Sequence, residues 1–164
     1  EASELFSQAS SLPAESTIVE IGTYKGGSAI LLASAFKGKI YSIDHYLRDD
    51  GSNIYYDRST VEEVQENLNK AEASNVELLT GDSRELCKTW SQPIHLLFID
   101  GNHLWEFVRA DIQNWVPFVV PKGLVIFHDY DSHLGVTKAI HEAIESKLIF
   151  PVKKSGSLLV TQKP

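Results

Sequence analysis

Short apolar runs alternate with longer amphipathic stretches along the whole chain. The apolar runs predict strands at residues 17–21, 40–43, 76–79, 94–99, 124–127, 148–152 and 157–161. Helical spacing of apolar residues, or uniformly apolar composition, predicts helices at 28–36, 60–73, just after 83, at 104–115 and at 135–147. Such alternation is typical of α/β proteins with a parallel sheet between two layers of helices. We therefore expect a Rossmann-like, doubly wound, mostly parallel seven-stranded sheet that ends in an antiparallel C-terminal hairpin.

Composition limits the classes of protein that fit this pattern. The chain has 164 residues, a length that suits one domain over 1–164, and its net charge of −7 disfavours nucleic acid as a partner. The single cysteine, Cys87, rules out a disulfide framework within the chain. No apolar run reaches the roughly 18–20 residues that cross a membrane. We expect a cytoplasmic protein that acts on a small molecule, without a membrane partner.

Polar residues recur where the predicted strands end. The first, second, fourth and fifth strands end in Glu20 and Gly22, in Asp44, in Asp100, and in His128 and Asp129. In doubly wound sheets, ligands bind at the carboxyl ends of the strands. The same edge of the sheet is therefore expected to carry the site.

The turn after the first strand has the sequence Glu-Ile-Gly-Thr-Tyr-Lys-Gly-Gly at residues 20–27. Its glycine spacing departs from the Gly-x-Gly-x-x-Gly pattern that holds a dinucleotide pyrophosphate, and a carboxylate at Glu20 would repel a pyrophosphate. A carboxylate suits the ammonium group of S-adenosylmethionine (SAM). The alternative is an ordinary tight turn. The residues of this segment that we predict to bind the cofactor are Glu20, Gly22, Thr23, Tyr24, Gly26 and Ser28.

The ends of the second and third strands extend this prediction to the rest of the cofactor. Asp44 can accept hydrogen bonds from both ribose hydroxyls, a feature of NAD and SAM sites alike, or it can cap a turn. Asp82 and Ser83 can accept from an adenine amine, although Asp82 is equally suited to capping the next helix. His45 and Asp100 complete the set of predicted cofactor-binding residues.

Three segments carry a resemblance to a known family. Residues 19–28 resemble motif I of class I SAM-dependent methyltransferases. Phe98-Ile99-Asp100-Gly101-Asn102-His103 and Phe127-His128-Asp129-Tyr130 are similar to the group containing cephalosporin-hydroxylase-like and macrolide-sugar O-methyltransferases. The resemblance covers nearly the whole chain. Two positions depart from the family pattern: Asn102 replaces an aspartate, and Lys122 replaces a glycine.

The resemblance implies O-methylation of a small hydroxylated acceptor, such as a sugar or a natural-product glycoside. It also implies that Asp100, His128 and Asp129 match the magnesium ligands of metal-dependent relatives, and that His103 matches their base. His128 stands where macrolide-sugar enzymes carry a carboxylate, and imidazole favours manganese or softer ions over magnesium. A divalent cation, Mg or Mn, is thus an open possibility. The alternatives are a helix-start role for His103 and a core role for His128.

Residue chemistry independently makes His103 and Asp100 the candidate catalytic pair. They lie three residues apart at a strand-to-helix junction, and histidine suits a base near neutral pH. His133 could line this site, but a surface position is expected. The segment 48–58, with its tyrosines, could form a lid or a solvated loop.

Other functions explain the sequence less completely. A nicotinamide-dependent oxidoreductase should show Gly-x-Gly-x-x-Gly or Tyr-x-x-x-Lys, and neither pattern is present. A metal-dependent hydrolase would leave Glu20 and Asp44 without a role. A non-catalytic partner subunit with a SAM-binding fold fits the short chain, as does a homodimer whose second copy completes the cleft.

Overall fold

A computed structural model describes residues 1–46 and 61–164. The predicted lid at 48–58 lies outside the described residues. The helices are α1 (Ala2–Ser10), α2 (Gly27–Ala35), α3 (Val61–Lys70), α4 (Ser83–Leu86), α5 (Trp105–Trp115) and α6 (Leu134–Glu145). The strands are β1 (Thr17–Ile21), β2 (Lys39–Asp44), β3 (Val76–Thr80), β4 (Ile94–Ile99), β5 (Val119–Phe127), β6 (Phe150–Ser155) and β7 (Leu158–Gln162). Single 3-10 turns follow α4 at Cys87–Thr89 and α5 at Val116–Phe118.

The strands form one seven-stranded sheet in the order β3-β2-β1-β4-β5-β7-β6. The first five in this order are parallel, and β7 runs antiparallel between β5 and β6. The expected α/β class, parallel centre and antiparallel hairpin are therefore confirmed. The order reverses between β1 and β4, which is where ligands bind in folds of this type.

Alternation along β1 shows how the sheet is covered on both faces. Ile18 packs into a core with residues of α1, α2 and α3, such as Leu32 and Val64. Val19 packs into the opposite core with residues of α5 and α6, such as Trp115. All five residues of β1 are buried, which explains why Ile18, Val19 and Ile21 are apolar.

One helix and the first residues of two strands differ from the sequence-based prediction. Helix α1 was not predicted; its inner face buries Leu5. Strand β5 begins at Val119 rather than 124, because Val119 pairs with Ile94 before a register shift. Leu148 was predicted to begin a strand, but its amide donates to the carbonyl of Ala143 and closes the end of α6 instead.

Strand β6 lies at the edge of the sheet and is largely exposed. Its pairing with β7 is interrupted by a register shift between Pro151 and Lys153, which leaves Val152 unpaired. Lys153 and Lys154 form ion pairs with Glu4 and with a loop aspartate. Among the helices that the structure describes, none has the length and apolar character required to cross a bilayer.

Candidate active site

The polar strand ends gather at the point where the strand order reverses. Three backbone hydrogen bonds tie these ends together: Gly22 N to Ile43 O (2.9 Å), Asp100 N to Ile21 O (2.8 Å) and His128 N to Ile99 O (3.1 Å). The predicted residues therefore occupy one edge of the sheet. They divide into a cofactor half, after β1 and β2, and an acceptor half, after β4 and β5.

The turn after β1 depends on glycine at one position above all. Gly22 has φ +99°, and a methyl group on its Cα would lie 2.1 Å from the carbonyl oxygen of Asp100. The β1 turn and the end of β4 thus touch backbone to backbone. Gly26 adopts the left-handed conformation (φ 86°) immediately before α2. The helix therefore begins directly behind the turn, with its first amides facing it.

Asp44 organises this turn from the neighbouring strand. Its Oδ2 accepts hydrogen bonds from the amides of Thr23 (3.0 Å) and Tyr24 (2.9 Å). Its Oδ1 accepts a longer bond of 3.3 Å from the amide of Tyr46. These bonds agree with the turn-capping alternative for Asp44. Its binding of a ribose stays a prediction.

Glu20 is fully buried beneath the turn. Ser42 donates a hydrogen bond to Glu20 Oε2, and the Thr23 hydroxyl lies 2.7 Å from that of Ser42, so a chain of hydroxyls leads to the carboxylate. Burial raises the pKa of Glu20 to about 7, against the opposing effect of the Ser28 and Ser42 hydroxyls. Ser28 lies near the carboxylate, but its hydroxyl does not meet hydrogen-bond geometry with the other oxygen, Oε1, which has no hydrogen-bond partner among the described residues.

An unpartnered buried carboxylate oxygen is costly unless a ligand supplies a donor. The ammonium group of SAM is such a donor, and it would also favour the ionised form of Glu20. The residues present therefore fit this cofactor. Tyr46 also brings a buried hydroxyl to this region, with no hydrogen-bond partner in residues 1–46 and 61–164, and burial raises the pKa of Tyr46 to about 12. Sequence reasoning missed Tyr46, whose only signal was its place two residues after Asp44.

The third strand end is occupied by structural interactions. Asp82 accepts from the amide of Arg84 (2.9 Å) as the cap of α4 and also pairs with the Arg84 guanidinium, which lowers the pKa of Asp82. Ser83 donates to Asp111 Oδ1 (2.5 Å). The capping alternative is thus observed for Asp82. Asp111 was not predicted from the sequence; it is nearly fully buried, and burial raises its pKa to about 6.

His45 follows Asp44 and is exposed. It lies close enough to Asp82 for its charge to contribute to the lowering of that carboxyl's pKa, after the larger effect of Arg84. It lies directly after the end of β2. A contact of His45 with the cofactor stays a prediction.

The acceptor half is built around Asp129. Its Oδ2 lies 2.8 Å from Nε2 of His103 and 3.2 Å from Nδ1 of His128. The same Nδ1 lies 3.3 Å from Asp100 Oδ1. The two carboxylates, Asp100 foremost, raise the pKa of His128 to about 9. Asp129 itself adopts a left-handed φ of 59°, a strained conformation of the kind found at functional sites.

His128 could also help to hold a metal ion. Nδ1 is buried and, although two carboxylate oxygens lie near it, neither contact has the geometry of a hydrogen bond. The ligand atoms of Asp100, His128 and Asp129 all lie within 4.8 Å of one another. A mixed nitrogen and oxygen set of this kind fits a divalent ion such as Mn²⁺ better than Mg²⁺.

Two further features of the acceptor half involve Asn102 and His133, for which a place in the site was one of two alternatives. The ring of His133 stacks on that of His103, with centroids 4.2 Å apart and planes 16° apart. His133 is exposed, as expected, but it belongs to the site. Asn102 turns its Oδ1 towards the amide of Leu104 (2.8 Å), at the start of α5. The side chain that replaces the family's aspartate thus serves the helix start.

Comparison with known proteins identifies the class. A family model described as a methyltransferase domain matches residues 19–130. The chain is 28% identical to the uncharacterized protein y4gI of Sinorhizobium fredii over 160 residues, and 29% identical to the uncharacterized protein R132 of Acanthamoeba polyphaga mimivirus over 120 residues. These alignments cover 87% and 71% of this chain but only 17% and 52% of the two relatives.

Solved structures show the same fold. The O-methyltransferase NovP superposes with a TM-score of 0.79 at 18% identity, covering 99% of this chain and 78% of NovP. Cofactor-bound Rv0187 from MTB gives 0.78 at 18% identity, with coverage of 99% and 78%. An rRNA methylase from Streptococcus thermophilus gives 0.71 at 16% identity, with coverage of 98% and 94%.

The fold is that of class I methyltransferases, and the polar strand ends lie at the reversal point of its sheet. The chain belongs to the methyltransferase-domain family, whose model spans β1 to the residues that follow β5.

Proposed function

We propose that this chain binds SAM at the turn after β1 and transfers its methyl group to a hydroxyl of a small acceptor. The observation that carries the proposal is the unpartnered Oε1 of buried Glu20, beside a turn whose amides Asp44 holds in place. A cationic ligand group satisfies that oxygen. A dinucleotide pyrophosphate would meet the same carboxylate with repulsion.

Bound SAM supplies an electrophilic methyl group on a sulfonium. The protein must then hold the acceptor hydroxyl in line with this group and take its proton. His103 suits the second task because Asp129 lies at hydrogen-bond distance from Nε2. If Nε2 carries the hydrogen and donates it to Asp129, Nδ1 is the basic nitrogen. In the part of the chain that the structure describes, Nδ1 of His103 makes no hydrogen bond, so it is available to receive the acceptor's proton.

Asp129 has two effects in this scheme. It fixes the orientation and tautomer of the His103 ring, and its negative charge stabilises the imidazolium that forms when the proton arrives. Asp100 and His128 stand on its other side. A divalent ion held by Asp100, His128 and Asp129 would orient the acceptor hydroxyl and lower its pKa.

The acceptor class rests on the resemblance to sugar O-methyltransferases and on structural neighbours that include NovP and the TDP-rhamnose 3'-O-methyltransferase CalS11. An rRNA acceptor, suggested by other neighbours, is disfavoured by the net charge of −7. We therefore propose a small hydroxylated acceptor, such as a sugar or a glycoside.

Calorimetric titration with SAM, with and without EDTA and Mn²⁺, tests the cofactor assignment. Wild-type protein should bind SAM, and Glu20→Gln should bind it at least about tenfold more weakly because the ammonium loses its counter-charge. Binding of NADH instead of SAM would overturn the proposal. A metal that tightens neither SAM nor acceptor binding would exclude the ion from the mechanism.

Transfer from methyl-labelled SAM to a panel of sugars, glycosides and phenols tests the reaction. His103→Ala should bind SAM as the wild type does and lose about 10²–10⁴-fold in turnover. His141→Ala is the matched control, since His141 bonds to Tyr130 and lies outside the proposed machinery. Full turnover by His103→Ala would refute the base assignment, and SAM binding without transfer to any acceptor would favour a partner subunit.

A further inference from the structure

We propose that His133 is a positioning residue that holds the ring of His103 in the orientation needed to take a proton. This inference rests on the proposed role of His103 as the base. The two rings are stacked, with centroids 4.2 Å apart and planes 16° apart. Asp129 Oδ2 lies 2.8 Å from Nε2 at one edge of the His103 ring, and His133 covers one of the ring's faces.

His103 needs such support because its side chain is 38% exposed. An imidazole held only at Nε2 can pivot about that contact and swing Nδ1 away from the acceptor. A displacement of a catalytic group by about 1 Å is enough to lower the rate of the reaction. A second ring against its face removes this freedom, so the edge and face contacts together define the plane of the base.

The backbone brings His133 to this place through a tight loop between β5 and α6. The amide of His133 donates to the carbonyl oxygen of Asp129 (3.1 Å), and two residues of the loop, Asp129 and Asp131, adopt left-handed conformations. The Asp131 amide donates to the Thr137 hydroxyl (3.0 Å), which ties the loop to the first turn of α6. The loop is thus fixed at both ends.

Gly135 brings the start of α6 against the backbone of His103. A methyl group on its Cα would lie 2.3 Å from the carbonyl oxygen of His103 and 2.6 Å from the amide nitrogen of Trp105. Only glycine allows this approach without backbone movement. The close contact lies two residues beyond His133 and keeps the two histidines in register.

The chemistry of the position also separates it from an ordinary helix start. His133 is the N-cap residue of α6 and makes no capping hydrogen bond through its side chain. Ser, Thr, Asp and Asn are the residues that stabilise this position in helices. The His133 imidazole therefore does not stabilise the start of α6 by capping. Its ring contacts the ring of His103, the proposed base.

A metal site shared by the two rings is a different interpretation of the same cluster. His103, Asp129 and His133 can each offer one ligand atom, and these atoms lie within 4.8 Å of one another. However, the lone pair of an imidazole nitrogen lies in the plane of its ring. Two nearly parallel, stacked rings cannot both point their lone pairs at one ion, so the observed geometry favours positioning over chelation.

Three variants separate positioning of His103 from support of the helix. His133→Phe keeps a flat ring without nitrogen atoms, His133→Ala removes the ring, and His133→Asn removes the ring but supplies a capping side chain. A purely structural role predicts that Asn is the best replacement. Positioning predicts that Phe is the best replacement and that Asn behaves as Ala does.

The first measurement follows the His103 ring by NMR in protein carrying isotope-labelled histidine, without cofactor or acceptor. In His133→Ala and His133→Asn, loss of the stack should increase the motion of the His103 ring. The chemical shifts of its carbon-bound protons should also lose the ring-current contribution of His133. Both changes should be much smaller in His133→Phe. The population of the alternative orientation should rise by about two- to tenfold, the factor expected for one aromatic pair. Unchanged ring motion in His133→Ala would overturn the proposal.

The second measurement uses diethyl pyrocarbonate as a probe of the His103 nitrogen, with the modified residue identified by mass spectrometry. Modification of His103 should be faster in Ala and Asn than in the wild type, and close to the wild-type rate in Phe. Equal rates in all four proteins would refute the role. Neither measurement needs SAM, so a failure here is distinguishable from a failure of the methyltransferase proposal.

Discussion

The cofactor half and the acceptor half of the site are built in opposite ways. The centre of the cofactor half is buried: Glu20, Thr23 and Ser42 are almost completely inaccessible, whereas Tyr24 and His45 at its surface are exposed, and Asp44 bonds mainly to backbone amides. The acceptor half is partly open, and its contacts join side chain to side chain. His103 and Asp129 there have side chains 38% and 18% exposed.

This difference separates two kinds of function. Backbone amides and a buried carboxylate are fixed by the fold itself, so the cofactor half cannot change without disturbing the sheet. Side chains on the loops after β4 and β5 can change while the sheet remains intact. We therefore expect substitutions in the cofactor half to alter stability and SAM binding together, and substitutions in the acceptor half to alter turnover alone.

The largest effect should come from Gly22→Ala in the cofactor half. The new methyl group would meet the Asp100 carbonyl oxygen at 2.1 Å, and alanine would have to adopt φ +99°. The two strand ends would have to separate, at a cost of about 4 kcal/mol in the free energy of unfolding. Urea denaturation followed by circular dichroism measures this loss.

Gly27→Ala is the matched control for that substitution. Gly27 lies five residues further on in the same motif, and a methyl group there would have no neighbour within 4 Å. The free energy of unfolding of Gly27→Ala should differ from that of the wild type by less than about 1 kcal/mol. Equal losses of unfolding free energy in Gly22→Ala and Gly27→Ala would show that the contact between Gly22 and the end of β4 does not affect stability.

The next effect is a pH dependence of stability that originates at Glu20. Burial raises its pKa from 4.5 in the unfolded chain to about 7 in the folded protein, so the folded state binds this proton more tightly. The stabilisation that this proton gives the folded state is fully present below pH 4.5 and is lost as the pH rises through 7. The free energy of unfolding should fall by about 3 kcal/mol over this range. Urea titrations of the cofactor-free protein at a series of pH values should show this loss.

Glu20→Gln isolates the contribution of this one group. The difference in unfolding free energy between wild type and Gln should grow from pH 4.5 to 7 and then become constant, since glutamine does not titrate. A difference that is independent of pH would place the pKa of Glu20 near its ordinary value. SAM binding should favour the ionised carboxylate, so its affinity should rise with pH up to about 7.

The smallest effect on stability should come from Asp129→Asn in the acceptor half. Asparagine tolerates the left-handed conformation at this position, so the loop should keep its shape. Interactions of partly exposed charges contribute little, and we expect the free energy of unfolding to change by less than about 1 kcal/mol. Turnover should fall by at least about tenfold because His103 loses its orienting carboxylate.

Thermal unfolding and methyl transfer, measured on the same preparation of Asp129→Asn, test this separation. SAM affinity should match that of the wild type. A large loss of stability in this variant would contradict the division of the site into a rigid half and a variable half.

Much of the fold follows from local patterns. The nearly uniform apolar run 94–99 predicted a covered central strand, and the polar residues after it, Asp100 and His103, marked the end of the sheet where we expected the site. The cap at Asp82 was one of two readings that the sequence left open. Helix α1 was missed because the sequence-based prediction began at the strand over 17–21, although Leu5 marks the helix's buried face.

Contacts between distant loops could not be predicted in the same way. The stack of His133 on His103 depends on left-handed residues at Asp129 and Asp131 and on the close approach at Gly135. No periodic pattern reports these conformations. Asp111 reaches Ser83 from another helix, and its spacing within α5 gave no sign of that partner.

The irregular pairing of β6 bears on how copies of this chain can meet. Joining two sheets edge to edge requires a straight strand with evenly spaced free amides and carbonyls. A partner strand could not form a regular ladder of hydrogen bonds along β6, because this strand contains a proline at 151, the unpaired Val152 and two adjacent lysines. Pairing of two copies along β6 is thereby disfavoured.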